Sequence, residues 1–137
     1  TNTVGEDISD LLRDRRILLV EDNEINMEIA EFYLEEAGAQ VIKAWNGQEA
    51  VELFKQSGLR EYDAVLMDIM MPKINGLDAT RKIRSLKRQD AKTVPIIAMS
   101  ANAYMQDIQK CYKAGMNGHI SKPLYLEDLK DRIIQIL

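Results

Sequence analysis

"AVLMDIM", residues 64–70, is an apolar run with one carboxylic acid set in it, Asp68. Its length and content read as a buried strand, yet burying an unpaired charge is costly. Asp68 is therefore expected to end the strand at its open edge, where something outside the core compensates the charge or uses it.

Four more short apolar runs lie on either side: "RILLV" (16–20), "AQVIKA" (39–44), "PIIAMS" (95–100) and "GHISK" (118–122). All read as strands. The stretches between them carry helical spacing. Ala30, Tyr33, Leu34 and Ala37 fall at i, i+3, i+4 and i+7, with Gly38 as the stop. Leu126, Leu129, Ile133 and Ile136 mark a helix at the carboxyl end, and "GQEAVELFKQS", "GLDATRKIRSL" and "YMQDIQKCYKAG" complete the set. Strict β-α alternation predicts a parallel sheet with helices on both faces. Residues 1–14 stand outside the alternation and read as a linker or one short amphipathic helix, through Ile8, Leu11 and Leu12, which leaves a single domain over residues 15–137.

Bulk properties narrow the function. A chain of 137 residues is about one domain long, with 46% hydrophobic and 29% charged residues, ordinary for a soluble protein. No run is long enough to span a membrane, and no leader pattern opens the sequence. A net charge of -4 argues against sequence-independent nucleic-acid binding, which needs a basic face. Cys111 is the only cysteine, so an intrachain disulfide and multi-cysteine zinc sites are excluded. A reducing compartment, the cytoplasm, fits that usage.

In open parallel α/β sheets, ligand groups gather outside the carboxyl ends of the strands. Glu21 and Asp22 follow "RILLV" and Asp68 ends "AVLMD". Adjacent central strands would bring the three carboxylates together, where they repel unless a hard, oxygen-seeking divalent ion sits among them. Magnesium is the natural choice. Ser100 ends the fourth strand with a hydroxyl, and Lys122 ends the fifth with an ammonium, followed by Pro123. A metal, a hydroxyl and a lysine around one carboxylate suit an anionic phosphoryl group, with Asp68 as the nucleophile that forms an acyl phosphate. Taken singly, each of these residues also reads as a cap or turn; the joint pattern at four strand ends carries the reading.

With these motifs in order ("LLVEDN", "LMDIMMPKINGLDA", "IIAMSAN", "HISKPL"), residues 15–137 resemble the receiver domain of two-component response regulators. The stretch "VEDNEINMEIAEFYLEEAGAQVIKAWNGQEAVE" looks most like receivers of hybrid histidine kinases. The resemblance implies a flavodoxin-like (βα)5 doubly wound sheet of five parallel strands in the order 2-1-3-4-5. It implies that Asp68 takes a phosphoryl group from the phosphohistidine domain of a histidine kinase. Glu21, Asp22, Asp68 and the backbone carbonyl of Met70 would hold Mg2+, or Mn2+ in its place; Ser100 and Lys122 would bind phosphoryl oxygens; the Lys122–Pro123 bond would be cis.

Two positions vary from the usual family pattern. His119 stands where many members carry a switch tyrosine or phenylalanine, and reads either as a switch or as a half-buried histidine without a signalling role. Met70 is apolar where some members place a polar side chain. Onward transfer to a histidine phosphotransfer protein would dock that partner on Ile25, Asn26, Ile29 and Leu124, although Ile25 and Ile29 could instead face the sheet. The Tyr104 to Tyr112 helix is a second candidate surface. The alternative is a stand-alone or truncated response regulator acting by protein-protein interaction. An aspartyl-nucleophile phosphatase fits poorly because its nucleophile follows the first strand, and a flavin module fits poorly because "EDNEIN" would repel phosphate.

Overall fold

The computed structural model describes residues 12–69, 75–100 and 105–121. Among the described residues, ten elements follow in chain order. They are β1 (Arg16–Val20), α1 (Glu24–Glu36), β2 (Gln40–Ala44), α2 (Gly47–Gln56), β3 (Ala64–Asp68), α3 (Gly76–Arg84), α4 (Gln89–Thr93), β4 (Ile96–Ser100), α5 (Met105–Ala114) and β5 (Gly118–Ser121). The strands form one sheet in the order β2-β1-β3-β4-β5, and every neighbouring pair is parallel. The expected doubly wound architecture is present.

Side chains leave each strand alternately on its two faces, and the apolar residues divide accordingly. Leu18, Val20, Val65, Met67, Ile96 and Ala98 pack with Phe54, Ile83 and Cys111 beneath α2, α3 and α5. Ile17, Leu19, Leu66, Ile97 and Met99 pack with Met27, Ala30 and Leu34 of α1 on the other side. Burial on both faces explains why β3 and β4 are apolar without alternation. Leu12 joins the second cluster, and its amide donates to the Ala37 carbonyl at 2.7 Å. Residues 1–11 and 122–137, and with them the helix expected from Leu126 to Ile136, lie outside the described residues.

Strand edges differ slightly from expectation, for identifiable reasons. Ala39 is absent from β2 because its amide closes the end of α1 on the Leu34 carbonyl at 3.0 Å, while Gly38, at φ 98°, donates to Glu35 at 3.0 Å. This paired closure requires the left-handed backbone that glycine adopts without strain. Pro95 has no amide to give the ladder, so β4 starts at Ile96.

The short helix α4 was not expected. It has no side-chain cap and is too short for a stripe to register. Arg88 holds it from outside, donating to the carbonyls of Phe54 (2.7 Å), Ser57 (3.0 Å) and Gly58 (2.9 Å) and to the Asp90 carboxylate at 2.7 Å. Arg84 makes a similar fastening between α3 and the α5-β5 corner through the Gly115 carbonyl (2.8 Å) and Asn117 Oδ1 (2.7 Å). Its burial lowers the guanidinium pKa from the ordinary value.

Candidate functional site

The site is assembled by the register of the two central strands. Val20 of β1 lies opposite Met67 of β3, so the next residue of each chain segment, Glu21 and Asp68, emerges at the same edge. Glu21 is tied there by its amide, which donates to the Ala44 carbonyl of β2 at 3.0 Å. Asn23 then caps α1, its Oδ1 accepting from the Asn26 amide at 2.9 Å, which turns the chain away and leaves Asp22 exposed on the rim. One carboxylate oxygen from each of Glu21, Asp22 and Asp68 lies within 4.8 Å of the others.

Two of the three are deeply placed: Glu21 and Asp68 are each only 1% exposed. Solvent reaches the cluster on the Asp22 side. Three carboxylates at this spacing repel one another, and their oxygen-only donor set is what a hard divalent cation takes. Fixing them on strand ends and a helix cap means that little rearrangement is needed on binding.

Ser100 closes β4, buried beside the Asp68 strand, with Asp68 opposite Met99 in the ladder. Ser100 is in turn opposite Ser121 of β5, so the chain leaves β5 at this edge toward Lys122. Lys122, Pro123, Leu124 and Met70 lie outside the described residues. His119 sits half-buried on β5 opposite Ala98. Ile25 is 67% exposed, which removes the reading in which it faces the sheet; Met27, Ala30 and Leu34 do that. Asn26 and Ile29 are half-buried. On the second candidate surface Tyr112 is exposed, and Tyr104 lies outside the described residues.

One contributor carried no role in the sequence reading. Gly76, the first residue of α3, donates its amide to the Ile69 carbonyl at 3.3 Å. A Cβ there would overlap the Asp68 carbonyl oxygen and stand 2.8 Å from Ile69 Cα and 2.9 Å from Met67 Cγ. The helix start therefore presses directly on the backbone that carries Asp68. The only local sign is the Asn75-Gly76 pair before an amphipathic run.

An open parallel α/β sheet with buried acids and a hydroxyl at its carboxyl edge is a doubly wound domain of the class that gathers ligand groups at its strand ends. Within that class the chain belongs to the response regulator receiver domain family, whose profile matches residues 17–134. Among characterised relatives, it is similar to the hybrid signal transduction histidine kinase L of Dictyostelium discoideum. The two are 37% identical over 119 residues, covering 86% of this chain and 7% of that kinase. The chain spans only between 6% and 16% of the length of this kinase and seven other histidine kinases of comparable similarity.

Two solved structures bear on the site. The receiver domain of the sensor histidine kinase PA1611 from Pseudomonas aeruginosa has a magnesium ion coordinated in its active-site cleft. It superposes with a TM-score of 0.78 at 39% identity, covering 89% of this chain and 95% of that one. The receiver domain of Saccharomyces cerevisiae Ssk1, solved with the histidine phosphotransfer protein Ypd1, gives a TM-score of 0.78 at 29% identity, covering 92% of this chain and 94% of that one.

Proposed function

We propose that this chain is the phospho-accepting receiver of a two-component phosphorelay and that Asp68 takes the phosphoryl group from a kinase phosphohistidine. The observation that carries the reading is the meeting of the Glu21, Asp22 and Asp68 carboxylates within 4.8 Å, beside the strand that ends in Ser100. The donor set suits Mg2+, with Mn2+ as the alternative ion, and the Met70 carbonyl is the further ligand that the family pattern supplies. When bound, the ion neutralises charge on the transferring phosphoryl group.

The chain's own residues do the rest. A carboxylate oxygen of Asp68 attacks phosphorus in line, the O–P bond forms as the P–N bond to the imidazole breaks, and the electron pair of that bond stays on the ring nitrogen. The Ser100 hydroxyl donates to one phosphoryl oxygen and the Lys122 ammonium pairs with another. The product is the chain's own acyl phosphate, so the domain is a stoichiometric acceptor rather than a turnover enzyme. His119 stands at the position where many family members carry a switch aromatic, and is either the residue that responds to Ser100 engagement or a half-buried histidine without a signalling role.

Acetyl phosphate with Mg2+ should label Asp68 alone, as a base-labile acyl phosphate seen by intact mass. Asp68→Asn must abolish it. Labelling that persists at full level in that variant would move the acceptor to another acid.

Likeness to kinase receivers and to a receiver solved with a phosphotransfer protein supports a relay role, inside a longer hybrid histidine kinase held in or at the cytoplasm. The donor is the kinase phosphohistidine domain and the acceptor a histidine phosphotransfer protein. That partner must bring an exposed histidine over Asp68, so it docks on Ile25, Asn26 and Ile29 of α1 and on Leu124. Ile25→Asp should slow transfer to or from phosphohistidine at least about tenfold, equivalent to about 1.4 kcal/mol, and leave acetyl phosphate labelling unchanged. Equal slowing of both would make Ile25 a structural residue.

A further inference from the structure

The opposite edge of the sheet carries a second recess. An open groove of about 260 Å3 lies at the amino ends of β3 and β4, one strand length away from Asp68. Its apolar lining is Tyr62 and Val94, both nearly closed to solvent, together with Pro95. Two carboxylates line it, and both are engaged. Asp63 accepts from the Arg16 amide at 2.8 Å and pairs with Arg15 at 3.7 Å. Asp90 pairs with the Arg88 guanidinium at 2.7 Å and accepts from the Arg60 amide at 2.9 Å.

The Arg60 guanidinium is different. It is exposed at the groove wall, and no carboxylate pairs with it among the described residues. Arg60 also holds φ 59°, a left-handed conformation that costs a residue with a Cβ about 1–2 kcal/mol. The Asp90 bond to its amide keeps it there. Strain of this kind, maintained by a buried ion pair, is a reason to look for function. Beside it Leu59 is 72% exposed, the highest value among the exposed large apolar side chains described. The groove and the residue next to it thus offer an uncompensated cation and an uncovered leucine close to apolar lining, in a chain whose net charge is -4.

We infer that this groove is a docking site for an acidic peptide segment of a protein partner, one that presents a carboxylate to Arg60 and an apolar side chain to Leu59. Leu59 adjoins Arg60 in the chain but is not part of the groove lining, so an occupant that meets both must extend beyond the recess, as a peptide does and a small acid does not. Engagement here leaves the carboxyl edge clear. A segment held in the groove would tether the domain to its assembly without obstructing phosphoryl transfer at Asp68. The inference stands on the groove alone and survives failure of the phospho-acceptor reading.

Amide NMR titration tests it with acetyl-Leu-Asp-Glu-Leu-amide as probe and acetyl-Leu-Asn-Gln-Leu-amide and sodium acetate as controls. We expect saturable shifts at Leu59, Arg60 and Thr93 with the acidic peptide at millimolar concentrations, and at least about tenfold weaker binding of the neutral one, the scale of a charge-assisted hydrogen bond. Arg60→Gly removes the guanidinium while easing the positive φ, so the variant keeps its fold, and it should lose that preference. Leu59→Ser should weaken binding of both peptides. Shifts that do not saturate, that survive Arg60→Gly, or that acetate reproduces at equal concentration would overturn the docking site.

Discussion

At the scale of single residues, the acids and the glycine at the site answer to different physics. Asp68, Glu21 and Asp22 were legible because a carboxylate at the end of an apolar run has a local cost that needs a reason. Gly76 was not, because its requirement comes from a strand eight positions earlier in the chain and exists only once α3 has docked. Its missing Cβ lets the helix start touch the Asp68 backbone. Gly76→Ala puts a methyl group against main-chain atoms that cannot rotate away, so the cost exceeds ordinary overpacking, which runs about 1–3 kcal/mol. We expect urea denaturation to give a loss at or above that range, with acetyl phosphate labelling of Asp68 slowed in the folded fraction. A loss within a few tenths of a kcal/mol would mean that α3 simply shifts outward.

At the scale of elements, strands and long helices followed from periodicity, while α4 did not because tertiary contacts alone sustain it. Arg88 supplies those contacts: three carbonyls around the end of α2, the Asp90 carboxylate and the face of Phe54, 5.0 Å from the ring centroid. Removing it takes the charged partner from a buried carboxylate, which keeps only neutral backbone donors such as the Arg60 amide, and takes one donor from each of three carbonyls. Arg88→Met should therefore cost about 3–5 kcal/mol, the range for breaking a buried pair, measured by chemical denaturation. The same pair sets an acid limit. The Arg88 hydrogen bond, more than any other influence, draws the Asp90 pKa below its ordinary value despite the opposing effect of burial. The unfolded chain thus binds this proton more readily than the native one. Its contribution is complete above the unfolded carboxyl value of about 4 and fades as pH falls through the lower native value. Asp90→Asn should flatten that part of the stability profile; an unchanged acid slope would assign it to other carboxylates.

At the scale of the whole molecule, charge is strongly polarised. Residues 21–36 contain seven acids (Glu21, Asp22, Glu24, Glu28, Glu31, Glu35, Glu36) and no base, whereas residues 76–93 contain six bases against Asp78 and Asp90. The acidic flank adjoins the carboxylate cluster, so its field adds to the local demand for a cation. The sequence displayed this polarity, because the pocket acids Glu21 and Asp22 open the acidic stretch, and the sheet order brought Asp68 of the neighbouring strand to it. A divalent ion that binds the native site and not the unfolded chain stabilises by about 2.7 kcal/mol at a hundredfold excess over its Kd. For a domain this size that raises Tm by roughly 10 °C. We expect Mg2+ to produce such a rise and to perturb Trp45, the single tryptophan, which follows the β2 end that receives the Glu21 amide. Asp22→Asn should raise the metal-free Tm, by relieving repulsion, and remove the Mg2+ response. Because part of the attraction comes from glutamates along α1, beyond the pocket itself, the Mg2+ affinity should also weaken as salt shortens the screening length to about 10 Å at 0.1 M. Glu24→Gln with Glu28→Gln should reduce that salt dependence while leaving the ion's saturating effect on Tm intact. If affinity were indifferent to salt and to these substitutions, the three carboxylates alone would account for the site and the acidic flank would play no part in loading it.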